Sequence, residues 1–166
     1  MTDMKPTLAT AAALFSLAVS ALSAPAQLNM SAPGKSKAYV AYAAEPQTVA
    51  ANKQATLQLR FQIVNGYHVN SHTPKSDFLI PTAVTLQPAA GVKAGELQYP
   101  HGVPYSFSFD PGTKLDVYAG GFTVKLPVVA KSGAHTLEGA LKYQACDNAS
   151  CYPPKTLPLK VLFNAK

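Results

Sequence analysis

Cys146 and Cys151 are the only cysteines in the 166 residues, and only Asp147-Asn148-Ala149-Ser150 lies between them. Those four residues have the composition of a tight turn, so antiparallel strand ends on either side could bring the two sulfurs within bonding range. A cross-link closing so short a loop constrains the unfolded chain weakly, by roughly 2 kcal/mol against nearly 5 for a loop of about a hundred residues. As a staple it would do little for the fold. The same closeness suits switching, because a second thiol beside the first can attack a mixed disulfide as soon as it forms. Spacing alone leaves thiol-disulfide exchange and a local structural bond both open.

Other chemistries find less support. His68 and His72 could join two thiolates around a soft metal, but in a strand-and-loop segment a four-residue separation does not stack them one turn apart as in a helix. Ordinary hydrogen bonding near a loop is the expectation for both, with no metal and no cofactor. Haem attachment needs two cysteines separated by two residues and followed by histidine, which this chain lacks. No paired acids at suggestive positions, phosphate-binding glycine loop or nucleophile elbow is present. The formal charge of +6 is spread without any block of like charges, which argues against a nucleic-acid partner and for solubility and weak steering.

The elements that must position the cysteines read as strands. Hydrophobic residues make up 48% of the chain, enough for one buried core, and charged residues are scarce. Fourteen prolines exceed the average share of about 5% and would interrupt helices. Residues 54–64 place Leu57, Leu59, Phe61 and Ile63 on one face and Thr56, Gln58, Arg60 and Gln62 on the other, the period of a half-buried strand. Asn65-Gly66 then signals a turn, and residues 67–70 a short return strand. Further strands are expected at 37–44, 78–86, 95–99, 115–126, 135–144 and 156–163. Seven to nine short strands without an amphipathic helix predict an all-β chain, an immunoglobulin-like sandwich of two antiparallel sheets. Antibody-type domains carry a long-range disulfide packed on a tryptophan; this chain has no tryptophan and its cysteines are close neighbours.

Residues 1–26 have the make-up of a secretory signal peptide: Lys5, an apolar run over 8–22, then Ser23-Ala24-Pro25-Ala26. The run is short of the ~20 residues that span a bilayer, and no cysteine follows to accept a lipid. Cleavage is expected after Ala26, leaving a flexible lead-in over 27–36 and one domain over 37–166, soluble and outside the cytoplasm, where disulfides persist.

Tyr143-Gln144, Cys151-Tyr152-Pro153-Pro154 and Thr156-Leu157-Pro158-Leu159 together resemble the amino-terminal periplasmic domain of the thiol:disulfide interchange protein DsbD. Gly66-Tyr67-His68-Val69-Asn70 and Phe78-Leu79-Ile80-Pro81-Thr82 support the resemblance, which covers roughly residues 37–163. It implies an immunoglobulin-like fold and a part in protein-disulfide reduction. Reducing equivalents would pass from a membrane electron carrier to periplasmic thioredoxin-like proteins. By the same resemblance Cys151 is the exchanging thiol and Cys146 the resolving one. One residue fewer separates these cysteines than in the best-known members, and the chain lacks their membrane region and carboxyl-terminal thioredoxin domain. A separate membrane-embedded donor is therefore expected, with the domain acting as a monomer. A non-catalytic sandwich module that binds another exported protein and keeps a local disulfide is the alternative.

The family shields its cysteines with an aromatic cap loop, to which residues 104–112 correspond by resemblance. Tyr105, Phe107 and Phe109 alternate there, which also fits a strand with one apolar face. As a cap, Phe109 is the first choice of shield and Phe107 the second, because Phe109 lies nearest the Asp110-Pro111-Gly112 turn. The exported product should begin near Gln27, as mass spectrometry would show; an intact amino terminus recovered with the membrane fraction would exclude the cleavage.

Overall fold

The computed structural model describes residues 37–76, 78–107 and 110–166; the expected leader, the lead-in and Phe109 lie outside the described residues. Within them the chain forms strands and no helix, numbered in chain order. The first sheet has the order β1 (Val40–Ala43), β3 (Gln54–Ile63), β9 (Gly121–Ala130) and β6 (Val92–Ala94), all antiparallel. In the second, β2 (Gln47–Val49) pairs in parallel with β12 (Lys155–Ala165), which pairs antiparallel with β10 (Gly133–Tyr143) and so on to β5 (Ala83–Leu86). The third sheet runs β11 (Ala145–Cys146), β4 (His68–Asn70), β8 (Asp110–Ala119) and β7 (Val103–Phe107).

The period of two explains the core. Leu57, Leu59, Phe61 and Ile63 of β3 are buried while Gln58, Arg60 and Gln62 between them are exposed. On β9, Phe122, Val124, Leu126 and Val128 alternate likewise, and on β10 and β12 so do Leu137, Leu141, Leu159, Val161 and Phe163. These side chains join in one apolar cluster, the interior of an immunoglobulin-like β-sandwich.

Several strand boundaries differ from expectation. Residues 115–126 form not one strand but parts of β8 and β9, because Gly120 takes a φ of 71° and turns the chain. The Gly120 carbonyl accepts hydrogen bonds from the Ile63 N–H and the Gln62 Nε2, each at 2.7 Å, so the corner is tied to β3. Residues 95–99 supply only a single bridge, Gln98 to Lys125; the strand lies earlier, at β6. The 78–86 segment narrows to β5, since the Leu79 N–H is already committed to a turn onto the Ser76 carbonyl. Residues 104–112 fall largely in the β7–β8 hairpin, whose register shifts between Tyr105 and Phe107. The parallel strand β2 has no sequence signal: three residues of mixed exposure are too few to show a period.

Leu59 is fully buried in the strand with the clearest alternation. Leu59→Ala should lower unfolding free energy by about 2–5 kcal/mol through lost transfer energy and a residual cavity, measured by urea denaturation.

Candidate functional site

The β10–β12 hairpin runs in register from Gly133 opposite Ala165 to Tyr143 opposite Lys155. Beyond Tyr143 the chain leaves that ladder and joins the third sheet, with Ala145 opposite Val69 and Cys146 opposite His68. Cys146 and Cys151 then face each other across an antiparallel bridge, 4.0 Å apart at Cα, and form a disulfide. The Tyr152 N–H donates to the Ala145 carbonyl at 2.8 Å, closing the ladder below the loop. Within the loop the Asp147 carboxylate accepts the N–H groups of Ala149 and Ser150 at 2.8 and 2.9 Å, and the Asp147 N–H donates to the Ser150 carbonyl. An aspartate capping the backbone two and three residues on is what makes this sequence turn.

The two sulfurs have unequal surroundings. Cys146 is 0% exposed, whereas Cys151 lies at the exposed edge of the loop. Side chains alternate across a strand, so Ala145 and Val69 point into the core while Cys146 and His68 share the opposite face. His68 is itself only 3% exposed, and the Tyr105 ring lies on it at 4.0 Å between centroids, with Phe107 at 6.0 Å. The Tyr105 hydroxyl donates to Asn148 Oδ1 at 2.8 Å, joining the β7–β8 hairpin to the cysteine loop. Tyr105 and Phe107 are on the strand β7, and their rings lie over the histidine opposite Cys146. Sequence alternation does not single out Tyr105 for these contacts, although it belongs to the same pattern as Phe107.

The motif residues flanking the cysteines tie the loop down. Gln144 Oε1 accepts from Asn70 Nδ2 at 3.1 Å and the Ile80 N–H at 3.3 Å, while its Nε2 donates to the Tyr152 carbonyl. The Asn70 carbonyl in turn accepts from the Thr82 hydroxyl at 2.6 Å. Behind Cys151, Tyr152 stacks on Tyr39 at 5.0 Å, and Tyr67 packs on Tyr39 at 4.8 Å. Lys37 donates to the Tyr67 hydroxyl, and Lys155 lies 5.0 Å over the Tyr39 ring. The Tyr152 hydroxyl donates to the Asp147 carboxylate. That bond pushes the Tyr152 phenol up to about 12 and, with the Ala149 and Ser150 N–H groups, holds the Asp147 carboxyl below its usual range.

His72 does not join His68. Its Nδ1 lies 2.9 Å from the Thr82 carbonyl and its ring stacks on Tyr99 at 3.6 Å. Among the described residues no three metal-ligating side chains cluster.

An immunoglobulin-like sandwich with a disulfide in a four-residue loop, under a short aromatic hairpin, defines the class of domain. Residues 36–162 match the family described as thiol:disulfide interchange protein DsbD, N-terminal, and the chain belongs to that family. Among solved structures it is similar to the reduced DsbD N-terminal domain of Neisseria meningitidis (22% identity, TM-score 0.45, 69% of this chain and 82% of that one). It is also similar to the N-terminal periplasmic domain of ScsB from Proteus mirabilis, at 12% identity and a TM-score of 0.50. That match covers 74% of this chain but only 44% of the ScsB one. A third similar structure is the complex between the DsbD and PilB N-terminal domains of Neisseria meningitidis, at 21% identity and a TM-score of 0.43, covering 63% of this chain and 73% of that one. No curated protein sequence matches the chain. Among the described residues no helix is long and apolar enough to cross a membrane.

Burial pushes the His68 imidazole below its ordinary value of 6.5, opposed by the nearby Asp147 charge. The unfolded chain therefore binds a proton at this residue before the folded one does, and stability falls as pH drops below 6.5 toward the folded value. Asp147, also depressed, adds its loss only below about 3.8. Urea denaturation across pH 7.5 to 4.5 should show the decline in the wild-type protein and a shallower one in His68→Gln.

Proposed function

We propose that this chain is a periplasmic thiol-disulfide exchange domain, a component of protein-disulfide reduction, with Cys151 as exchanging thiol and Cys146 as resolving thiol. The observation that carries the reading is the unequal exposure of the two sulfurs: a partner can reach Cys151, while Cys146 is reached only from within the loop. In the reduced domain the Cys151 thiolate attacks a sulfur of the partner's disulfide, whose S–S bond breaks to leave a mixed disulfide and a partner thiolate. Cys146 then attacks the Cys151 sulfur, closing the internal disulfide and releasing the partner as a dithiol. Two electrons pass outward. A separate membrane-embedded donor restores the pair.

Thioredoxin-like proteins of the periplasm fit as partners, since they present an exposed cysteine pair to an equally exposed Cys151. The domain works as a soluble monomer after removal of its leader. Tyr105, Phe107 and Phe109 shield the buried side of the pair until a partner displaces them, so that small reagents react slowly with Cys146.

Cys146→Ala should leave Cys151 able to hold an oxidised thioredoxin-fold protein as a stable mixed disulfide on non-reducing gels, and Cys151→Ala should trap little. Trapping that follows Cys146 instead would reverse the two roles. A thiol-trapping titration against a glutathione series gives the companion result. The pair should cycle within the glutathione range, whereas a structural bond stays oxidised, with a potential below about −300 mV.

A further inference from the structure

The exchange reaction proposed for the cysteine pair poses an acid–base problem at Cys146. Its sulfur is fully buried, yet to resolve a mixed disulfide it must give up a proton first. Water does not reach that atom. Directly opposite it on β4 stands His68, 3% exposed, and cross-strand partners on one face hold their Cβ atoms about 4.5–5.5 Å apart. The Nε2 of His68 is buried and has no hydrogen-bond partner with the disulfide closed. A buried nitrogen left unpaired is costly, and a redox or catalytic role is one of the reasons a protein keeps one. A disulfide sulfur carries no hydrogen, but the reduced Cys146 does.

We infer that His68, in a role that rests on that exchange reaction, is its internal base and accepts the Cys146 thiol proton during resolution of the mixed disulfide. The Cys146 S–H bond breaks and its proton goes to His68 Nε2. The sulfur electron pair forms the bond to Cys151 Sγ. The bond between Cys151 Sγ and the partner's sulfur breaks, and its electron pair leaves on the partner as thiolate. The cysteine pair is oxidised by two electrons and the partner's disulfide reduced by two.

The groups facing His68 are compatible with this task. They are Cys146 on β11, the Asp147 carboxylate at the loop start and the Tyr105 and Phe107 rings on β7; the neighbour on β8 is Ala119. Burial keeps the imidazole neutral, hence able to accept, at neutral pH. The Asp147 charge is near enough to favour the imidazolium once formed. The proton leaves when the Tyr105–Asn148 hydrogen bond opens and solvent reaches the ring.

The test uses the reduced full-length domain and one equivalent of the aromatic disulfide dithiobis(nitrobenzoate). Attack by Cys151 releases one thionitrobenzoate, and resolution by Cys146 releases the second. His68→Gln should leave the first release unchanged and slow the second on the order of 100-fold at pH 7, the scale of general base catalysis. The single adduct should then accumulate in acid-quenched samples read by mass spectrometry. In the wild-type protein the second release should slow as pH falls through the His68 titration, and the variant should lack this dependence. Resolution at the wild-type rate in a folded His68→Gln overturns the role of His68. A Cys146→Ala variant that forms no adduct defeats the exchange reading instead. Nitrogen NMR of the wild-type protein requires no substitution: the His68 Nε2 resonance should shift between oxidised and reduced states, and one that reduction leaves unmoved overturns the proposal.

Discussion

The pairing of β10 with β12 is the constraint on which the site depends. The ladder holds the strands in register along all eleven residues of β10, so the segment joining them can leave it at only one place, after Tyr143. There the chain must either continue the second sheet or find new partners, and Ala145-Cys146 finds them on β4. A shift of one residue in the β10–β12 register would carry the side chains of the slipped strand to the opposite face. The burial of Leu137, Leu141, Leu159 and Val161 on the inner faces opposes such a slip.

The inequality of the two sulfurs is a consequence of that placement. Cys146 belongs to a strand paired with β4, whose His68 carries the hairpin rings, whereas Cys151 belongs to the returning arm of the loop and is exposed. A buried sulfur and an exposed one are thus joined through a four-residue turn, and among the described residues no helix start lies beside them. Asp147 instead adds negative charge to the loop, and its hydrogen bonds with Tyr152, Ala149 and Ser150 hold the turn shape.

Polar groups around the loop are closely matched. Gln144 uses both ends of its amide, joining Asn70, the Ile80 N–H and the Tyr152 carbonyl, and so links three separate segments to the residue preceding Ala145-Cys146. The tyrosines behind Cys151 bring apolar area together with hydroxyls that reach partners, as buried and half-buried tyrosines require. Lys37 and Lys155 close this cluster on its solvent side, and Lys155 Nζ also donates to the Lys37 carbonyl at 2.6 Å.

The alternation in β3, the turn at Asn65-Gly66 and the aspartate-led turn between the cysteines are readable along the chain, because each depends on residues a few positions apart. The flanking motifs mark the right segment too, although nothing in them says that Gln144 is a three-way tie. Strand boundaries are misread where one glycine breaks an otherwise continuous apolar pattern, as at Gly120. What only the tertiary structure decided is the surroundings of the sulfurs. Which cysteine is buried, that His68 rather than His72 stands beside Cys146, and that Tyr105 reaches Asn148 from 43 residues away are matters of strand pairing and sheet order. Side-chain periodicity is a local property of a strand, but its partners are set by which inner faces bury each other best, and that contest is settled over the whole chain at once.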